Sequence, residues 1–327
     1  MSTSEVATGL EVALKAVAAR EQVTEIYFVA CGGSYALMMS GQYIIERESA
    51  SIAGFAINAA EFLNRAPKRL GKTSVVILCS HSGTTPETVA AARFARNSGA
   101  LVIGFTHAAG SPLDRESDHA ILYTFDPLTI TPTHNAPLLI SLAFGILATR
   151  EGNTKSAAIA RTLEAIPAKT EKLLAEQAPA IAAFAESHKR EPVIYTMASA
   201  ANYGTAYSFA ICILQEMQWV HAAAIHAGEY FHGPFEITDF DVPFVILLGL
   251  GAGRTMDERA LAFAQKYSQR LTVLDARSFG IEELAGPAAE YLTPMMFAAL
   301  LRGYAVKLAD SRGHPLTVRR YMWRMEY

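Results

Sequence analysis

The stretch that decides the fold runs from residue 75 to residue 96 and reads VVILC, SHSGTTPE and TVAAARFAR. The first piece, at residues 75–79, is an unbroken apolar run of the kind that indicates a buried strand. The third piece, at residues 88–96, indicates a helix. Pro86 suits the first turn of that helix, because the N–H that proline lacks would have no helical partner there. The stretch therefore predicts a strand, a polar loop and a helix of an α/β fold.

The loop between strand and helix carries four hydroxyl side chains around one glycine. They are Ser80, Ser82, Thr84 and Thr85, with Gly83 among them. The first-turn N–H groups of a helix lack partners and the helix dipole is positive there, so such a place binds an anion, usually phosphate. A helix cap needs only one hydroxyl, although a capping loop without a ligand is the alternative. No lysine follows the glycine, which excludes a Walker nucleotide loop and favours a phosphate monoester on a small molecule.

The sequence also contains an internal repeat. Residues 26–62 match residues 194–230 at a constant offset of 168, with 11 identities in 37 positions, among them Glu48 with Glu216. The alternative is that two βαβ units merely share apolar patterning, but matched polar positions favour homology. We predict two homologous domains, residues 1–152 and 153–327, that meet near Gly152.

Each half alternates strand candidates with helical segments, which is typical of a parallel sheet covered on both faces. We predict an α/β fold with two tandem flavodoxin-like domains, each a five-stranded parallel sheet flanked by helices. A long helical segment over residues 154–187 is predicted to break at Pro167, and a last helix to cover about 294–308. The predicted strands are 26–30, 53–57, 75–79, 101–105 and 120–125, then 193–197, 222–225, 244–248, 271–274 and 288–292.

Ligands of open α/β sheets lie at the carboxyl ends of strands, and two loops of the first half meet that rule. One is CGGSY at residues 31–35, where the glycines allow close backbone approach and Ser34 adds a donor; the other is the loop at residues 80–85. In the second half the corresponding positions are AAN at residues 200–202 and LGLGAG at residues 248–253, without hydroxyl groups. The latter lacks the spacing and the downstream acid of a dinucleotide loop. One phosphate for each active site is therefore expected.

Composition excludes several classes of protein. The 327 residues are 51% hydrophobic and 18% charged, with a net charge of −3 and no basic run, so no nucleic-acid partner is expected. The longest apolar runs are too short to span a bilayer and the start lacks a signal-peptide pattern, so we expect no membrane partner and a cytoplasmic location. Cys31, Cys79 and Cys212 are far apart in apolar segments, which indicates buried, reduced thiols.

The second half holds a cluster of acid–base side chains. Glu216 ends an apolar helix, where the helix dipole and partial burial would raise its pKa towards that of a general base. His232 precedes Gly233-Pro234 in a turn, and histidine is the natural acid–base group near neutral pH. Glu216 could instead be a solvated or structural charge, as its twin Glu48 is expected to be. The neighbouring histidines fit packing better than catalysis, and their spacing matches no standard zinc motif, so no metal is expected. The cluster contains His221, His226, His232, Glu216, Glu229 and Glu236.

With these motifs the chain resembles the SIS (sugar isomerase) domain family, over nearly its whole length as two tandem SIS domains. SHSGTT followed by Glu87-Thr88 is similar to the sugar-phosphate motif of that family, and CGGS at residues 31–34 to its first phosphate loop. The isomerase half of glucosamine-6-phosphate synthase has the same layout. The resemblance implies that Glu216 and His232 do the chemistry, because their segments match the family's E-x-x-x-x-H and H-G-P patterns. It implies that the phosphate-binding residues are Gly33, Ser34, Ser80, His81, Ser82 and Thr85.

The closer resemblance is to stand-alone fructosamine-6-phosphate deglycases, because no glutaminase domain is present and the tail at residues 319–327 fits their pattern R-R-Y-M-x-x-x-E-Y. Where relatives often have a lysine, the nearest cation here is Arg324, which stays protonated and forms no Schiff base but could hold the sugar or its phosphate. The resemblance implies conversion of a phosphorylated Amadori compound to glucose 6-phosphate and a free amine, without a cofactor. It also implies a homodimer with active sites shared between subunits. The alternatives are an amino-sugar-phosphate isomerase or deaminase, and a non-catalytic sugar-phosphate sensor; the identity of the amine stays open.

Overall fold

The computed structural model describes residues 3–126 and 129–326, which form two compact units. The first unit consists of residues 3–126 and 131–164, and the second of residues 129–130 and 165–326. The boundary near Gly152 stays a prediction of where the two sequence repeats meet.

The first unit is built on a five-stranded parallel sheet, as predicted. The strand order is 2-1-3-4-5, which is the flavodoxin-like order. The fifth strand is shorter than the predicted 120–125. The strands are β1 Glu25–Ala30, β2 Ala53–Asn58, β3 Ser74–Cys79, β4 Leu101–Thr106 and β5 His119–Leu122. The helices are α1 Thr3–Ala18, α2 Gly32–Glu48, α3 Ala59–Arg65, α4 Pro86–Asn97, α5 Pro112–Glu116 and α6 Asn135–Glu151, followed by α7 Ser156–His188, which continues into the second unit.

The central strands of this sheet are mostly apolar because both of its faces are covered. Every residue of β1, β3 and β4 is buried. Helix α6 contacts both α1 and α2, whereas α4 contacts α3 and α5. Phe62 of α3 packs with Ala91 and Ala95 of α4 against the side chains of Val76 and Leu78. The strand order reverses between β1 and β3, whose last residues pair, so the loops that follow these two strands start side by side.

The second unit has a four-stranded parallel sheet, and the prediction of a fifth strand at residues 288–292 is wrong. That segment forms a buried 3₁₀ helix, Gly286–Tyr291, because Pro287 favours a helical first turn and two alanines have little β propensity. The strands, in the order β7-β6-β8-β9, are β6 Val193–Ala198, β7 His221–His226, β8 Phe244–Leu248 and β9 Leu271–Asp275. The helices are α8 Tyr203–Tyr207, α9 Glu216–Gln218, α10 Arg254–Tyr267, α11 Glu282–Ala285 and α12 Thr293–Arg312.

The two units repeat with the offset seen in the sequence. β6, β7 and α10 begin 168 residues after β1, β2 and α4 respectively. The helical segment from Ala200 to Gln218 follows β6 as α2 follows β1, but it contains a π-helix, Ser208–Gln215, where α2 is regular. The repeat therefore preserves these framework elements, and the helix after the first strand is one of the elements that differ.

Two helix predictions have different outcomes. α12 confirms the predicted last helix. The predicted break at Pro167 is wrong, because α7 continues through both Pro167 and Pro179. A proline removes one helical hydrogen bond, and the buried side chains of Ile166 and Leu173 hold the helix in place around it. Within the described residues no single helix is long and apolar enough to cross a membrane. One pair of helical segments, residues 282–291 and α12, would together be long and apolar enough, but the two are bent by 89° relative to each other.

Candidate functional site

The hydroxyl-rich loop closes on itself at the carboxyl end of β3. The Ser80 Oγ and Thr85 Oγ1 atoms lie 2.8 Å apart, and the Ser82 Oγ and Thr84 Oγ1 atoms 2.7 Å apart. Gly83 has a φ of +65°, which suits a residue without a Cβ. Thr85 is the N-cap of α4, but its side chain accepts no hydrogen bond from the first turn. The hydroxyl groups are therefore not used for ordinary capping.

A second helix N-terminus lies beside this loop. α2 begins directly after β1, and its N-cap residue Cys31 also provides no side-chain cap. Gly32 and Gly33 are exposed, and Ser34 forms a side-chain hydrogen bond with Cys79 at the end of β3. The structure thus brings Gly33 and Ser34 to the same edge of the sheet as the predicted phosphate-binding hydroxyls, at its switch point.

His81 of this loop belongs to a cluster of aromatic rings. Its Nδ1 atom lies 3.1 Å from the Tyr123 hydroxyl, and its ring stacks on His107 with centroids 5.1 Å apart. Burial and the neighbouring His107 lower the pKa of His81, so the ring is neutral at pH 7. Phe125 contacts the same ring from its edge and is half exposed. The role of His81 as a phosphate ligand stays a prediction.

Glu216 follows the π-helix of the second unit. Helices of this type are rare, and they are often found at functional sites. The Glu216 carboxylate accepts a hydrogen bond from Nε of Arg319 at 2.9 Å, and the Nη2 atom of Arg319 forms an ion pair with the same carboxylate oxygen at 2.8 Å. Burial raises the pKa of Glu216, and the positive charge of Arg319 opposes that rise. The carboxyl group is thereby suited to take up and release a proton.

Glu216 lies in the wall of a cavity of about 660 Å³ within the second unit. The cavity is lined by part of the π-helix segment, by the start of β7 and by the C-terminal tail. The cation that contacts Glu216 is Arg319, which sequence reasoning noted only as part of the tail motif. Arg324 is exposed and does not line the cavity, so its predicted role in binding the sugar or its phosphate stays a prediction.

His232 lies elsewhere on the same unit. It ends a 3₁₀ turn, Tyr230–His232, after β7, and its side chain is exposed beside Gly233, whose φ is +134°. Glu216 precedes the first residue of β7, whereas His232 follows the last. A six-residue strand puts those ends about 16 Å apart. The structure therefore does not bring these two predicted catalytic residues together within one chain.

Two of the three cysteines are buried and unreactive. All three are free; Cys79 and Cys212 are buried, as predicted, whereas the prediction is wrong for Cys31, which is only half-buried. Burial raises the pKa of the Cys79 and Cys212 thiols to about 11, so they stay protonated and inert. Within residues 3–126 and 129–326, no three His, Cys, Asp or Glu side chains are placed to hold a metal ion together.

Comparison with known proteins gives three findings. The SIS domain model matches residues 21–148. Fructosamine deglycase FrlB of Bacillus subtilis is 49% identical over 305 residues, 93% of each chain, and fructoselysine 6-phosphate deglycase of Escherichia coli K12 is 28% identical over 92% of this chain and 86% of its own. A Bacillus subtilis crystal structure assigned as a phosphosugar isomerase superposes with a TM-score of 0.95 at 46% identity, covering all of both chains. The chain therefore belongs to the SIS-domain family that includes the fructosamine deglycases.

Proposed function

We propose that this protein is a fructosamine-6-phosphate deglycase that converts a phosphorylated Amadori compound to glucose 6-phosphate and a free amine. The observation that carries the proposal is the 49% identity to a fructosamine deglycase over 93% of both chains. The two sites described above support it, since one is suited to an anion and the other presents a carboxyl group with a raised pKa in a cavity.

In this proposal the phosphate of the sugar binds to the first unit. Ser80, Ser82 and Thr85 offer hydroxyl donors, Ser34 offers another, and the uncapped starts of α2 and α4 add backbone N–H groups. A phosphate dianion accepts several such hydrogen bonds, and charge-assisted bonds are stronger than neutral ones. The loop thus fixes the end of the substrate that does not react.

The chemistry is an isomerisation followed by a hydrolysis. His232 opens the sugar ring by transferring a proton at the ring oxygen, and Glu216 removes a proton from C1 to give an enolamine. The proton returns at C2, which leaves an imine at C1, and water cleaves that imine to the aldehyde and the amine. Only proton transfers and water are needed, so no cofactor is invoked.

Arg319 would hold the base in place. Its hydrogen bond and ion pair with one Glu216 oxygen fix the orientation of that carboxylate, and its charge keeps the pKa of Glu216 lower than burial alone would set it. The mechanism requires Glu216 to be ionised, and so able to accept a proton, at the pH of the cytoplasm, where we place this protein.

A homodimer would complete the site. Because Glu216 and His232 lie at opposite ends of β7, we infer that the histidine which serves one Glu216 comes from a second copy of the chain. Two-fold dimers are the commonest assembly of soluble proteins and allow two identical shared sites.

The test is a panel of phosphorylated fructosamines, with glucose 6-phosphate release followed by a coupled dehydrogenase. We expect turnover of at least one member without added metal or organic cofactor. Ammonia release from glucosamine 6-phosphate, with no fructosamine cleaved, would favour an amino-sugar-phosphate deaminase instead. Binding of sugar phosphates without any turnover would favour a sensor.

A further inference from the structure

The cavity beside Glu216 contains a second arginine whose charge is not used by the protein. Arg319 is paired with Glu216, but Arg320 forms no ion pair with any carboxylate in residues 3–126 and 129–326. Its guanidinium lies 4.3 Å above the ring of Trp219, and both residues line the cavity. Because the charges of Glu216 and Arg319 cancel, the positive charge of Arg320 in the cavity lining is not neutralised by a carboxylate.

Trp219 is held firmly as the platform for this arginine. It is the C-cap residue of α9 and ends that helix in the left-handed backbone conformation, with a φ of +55°, so the turn fixes the direction in which its side chain leaves the backbone. The ring of His314 packs edge-on against Trp219, with centroids 4.4 Å apart. The amide of the neighbouring Gln218 donates to the His314 carbonyl at 2.7 Å, which joins this turn to the chain after α12.

A guanidinium on an aromatic platform is a binding group for a planar oxyanion. Arginine presents paired N–H donors that match a carboxylate, and stacking on tryptophan fixes the plane of those donors. In the proposed function the phosphate of the substrate belongs to the first unit, whereas the reacting C1 atom, which carries the amine, must lie at Glu216. The anion that reaches Arg320 would then come from the amine half of the substrate.

We propose that the cavity beside Glu216 is the subsite for the amine half of the substrate and that Arg320, stacked on Trp219, binds a carboxylate on that half. The substrates would be fructosamine 6-phosphates of amino acids and not of simple amines. His221 and Tyr321 line the same cavity and would contact the remainder of the amino acid. This inference rests on the proposed deglycase activity.

The experiment pairs substrates that differ only in the carboxylate. Fructosamine 6-phosphates are made from ω-amino acids with one to five methylene groups and from alkylamines of the same lengths. We expect the wild-type protein to favour the acid over the alkylamine by about tenfold or more in kcat/KM at one or more lengths, as a charged hydrogen bond implies. In Arg320→Gln that ratio should fall towards one, and Arg320→Lys should restore it in part, because lysine keeps the charge but not the paired donors.

Arg277→Gln is the matched control, since Arg277 is an exposed arginine of the same unit outside the cavity, and its ratio should equal that of the wild type. A wild-type ratio near one, or a ratio that survives in Arg320→Gln, would overturn the subsite. An equal loss on both substrates would also overturn it, because it would mean that Arg320 binds the shared phosphate. If the wild-type protein cleaves no member of either series, the proposed function is wrong and the subsite is rejected with it.

Discussion

The loops that follow β3 and β8 occupy equivalent places in the two units and have become different structures. Gly83 and Gly251, 168 residues apart, have nearly the same φ, +65° and +74°. Around Gly83 the loop presents hydroxyl groups. A Cβ on Gly251 would instead collide with the carboxylate of Glu290, from the 3₁₀ helix that replaces the predicted fifth strand. A backbone suited to an anion has been kept in both copies, but in the second the chain places its own carboxylate against it.

An internal polar network holds the second loop. Buried Asp257 accepts hydrogen bonds from the Ser199 hydroxyl at 2.6 Å and from the Gly249 N–H at 3.0 Å, and burial raises its pKa to about 6. Arg254 donates to the Gly249 carbonyl and forms a two-point ion pair with Asp275. Polar groups of the second loop that could otherwise bind a ligand are thus hydrogen-bonded to side chains of the same unit.

The glutamates at equivalent positions of the two units, Glu48 and Glu216, differ in the opposite sense to the loops, because here the residue with internal partners lies in the first unit. Glu48 ends the regular helix α2 and is bound by the Lys155 ammonium and, at 3.0 Å, by the Asn153 amide. Glu216 follows a π-helix and faces a cavity with Arg319 as its partner. In the proposed function, therefore, the first unit supplies the anion-binding loop and has a structural glutamate, whereas the second unit lacks such a loop and supplies the catalytic glutamate.

The largest effect should come from replacing the Glu216 carboxylate, compared with the same replacement at Glu48 in the first unit. Glu216→Gln should lower kcat by a factor of about 10² to 10⁴, because one proton-transfer group contributes that much. Glu48→Gln is the matched control. It should lower the melting temperature, since it removes the ion pair with Lys155, yet retain turnover. Equal activity losses in the two variants, measured with circular dichroism as a check on folding, would remove the distinction between the units.

The next effect should come from the loops. Ser80→Ala with Thr85→Ala should raise KM by about 10-fold to 100-fold, as expected for lost hydrogen bonds to a charged group. The complementary change, Ala252→Ser, puts a hydroxyl into the second loop and should leave both KM and inhibition by inorganic phosphate unchanged, because the Glu290 carboxylate repels an anion there. Steady-state kinetics measure both. An unaltered KM in the double variant would show that the first loop does not bind the phosphate.

A smaller effect tests whether two copies share each site. Glu216→Gln and His232→Asn should both be nearly inactive, but co-expressed chains should form mixed dimers with one intact site. Random pairing then gives about a quarter of the wild-type activity, since half the dimers are mixed and each has one working site. Chains with different affinity tags allow the mixed dimers to be isolated and assayed. Mixed dimers without activity would mean that both residues come from one chain, against the separation along β7.

Local patterns predicted most of the framework, and tertiary contacts explain what they missed. The apolar run at residues 75–79 and the loop after it were readable because strand burial and helix capping depend on neighbouring residues. The contact of Glu216 with Arg319 joins residues 103 positions apart, and nothing in either segment alone indicates it. Pro167 within α7 and the 3₁₀ helix at residues 286–291 were missed because packing outweighed the local signal. The adjacent arginines at residues 319 and 320 are the one sign in the sequence that the cavity contains a second cation.

The smallest predicted effect is a shift in the pH dependence of kcat/KM. It distinguishes the ion pair of Glu216 with Arg319 from that of Glu48 with Lys155. Glu216 must be ionised to accept a proton, so kcat/KM falls as the pH drops through its pKa. Burial raises that pKa and Arg319 opposes the rise; Arg319→Gln removes the opposing charge and leaves the burial, so the acidic limb of the profile should move to higher pH. Lys155→Gln, which instead removes the ion pair between Lys155 and Glu48, should leave the limb where it is. A limb that stays fixed in Arg319→Gln, or moves to lower pH, would mean that Glu216 is not the group whose ionisation limits the reaction.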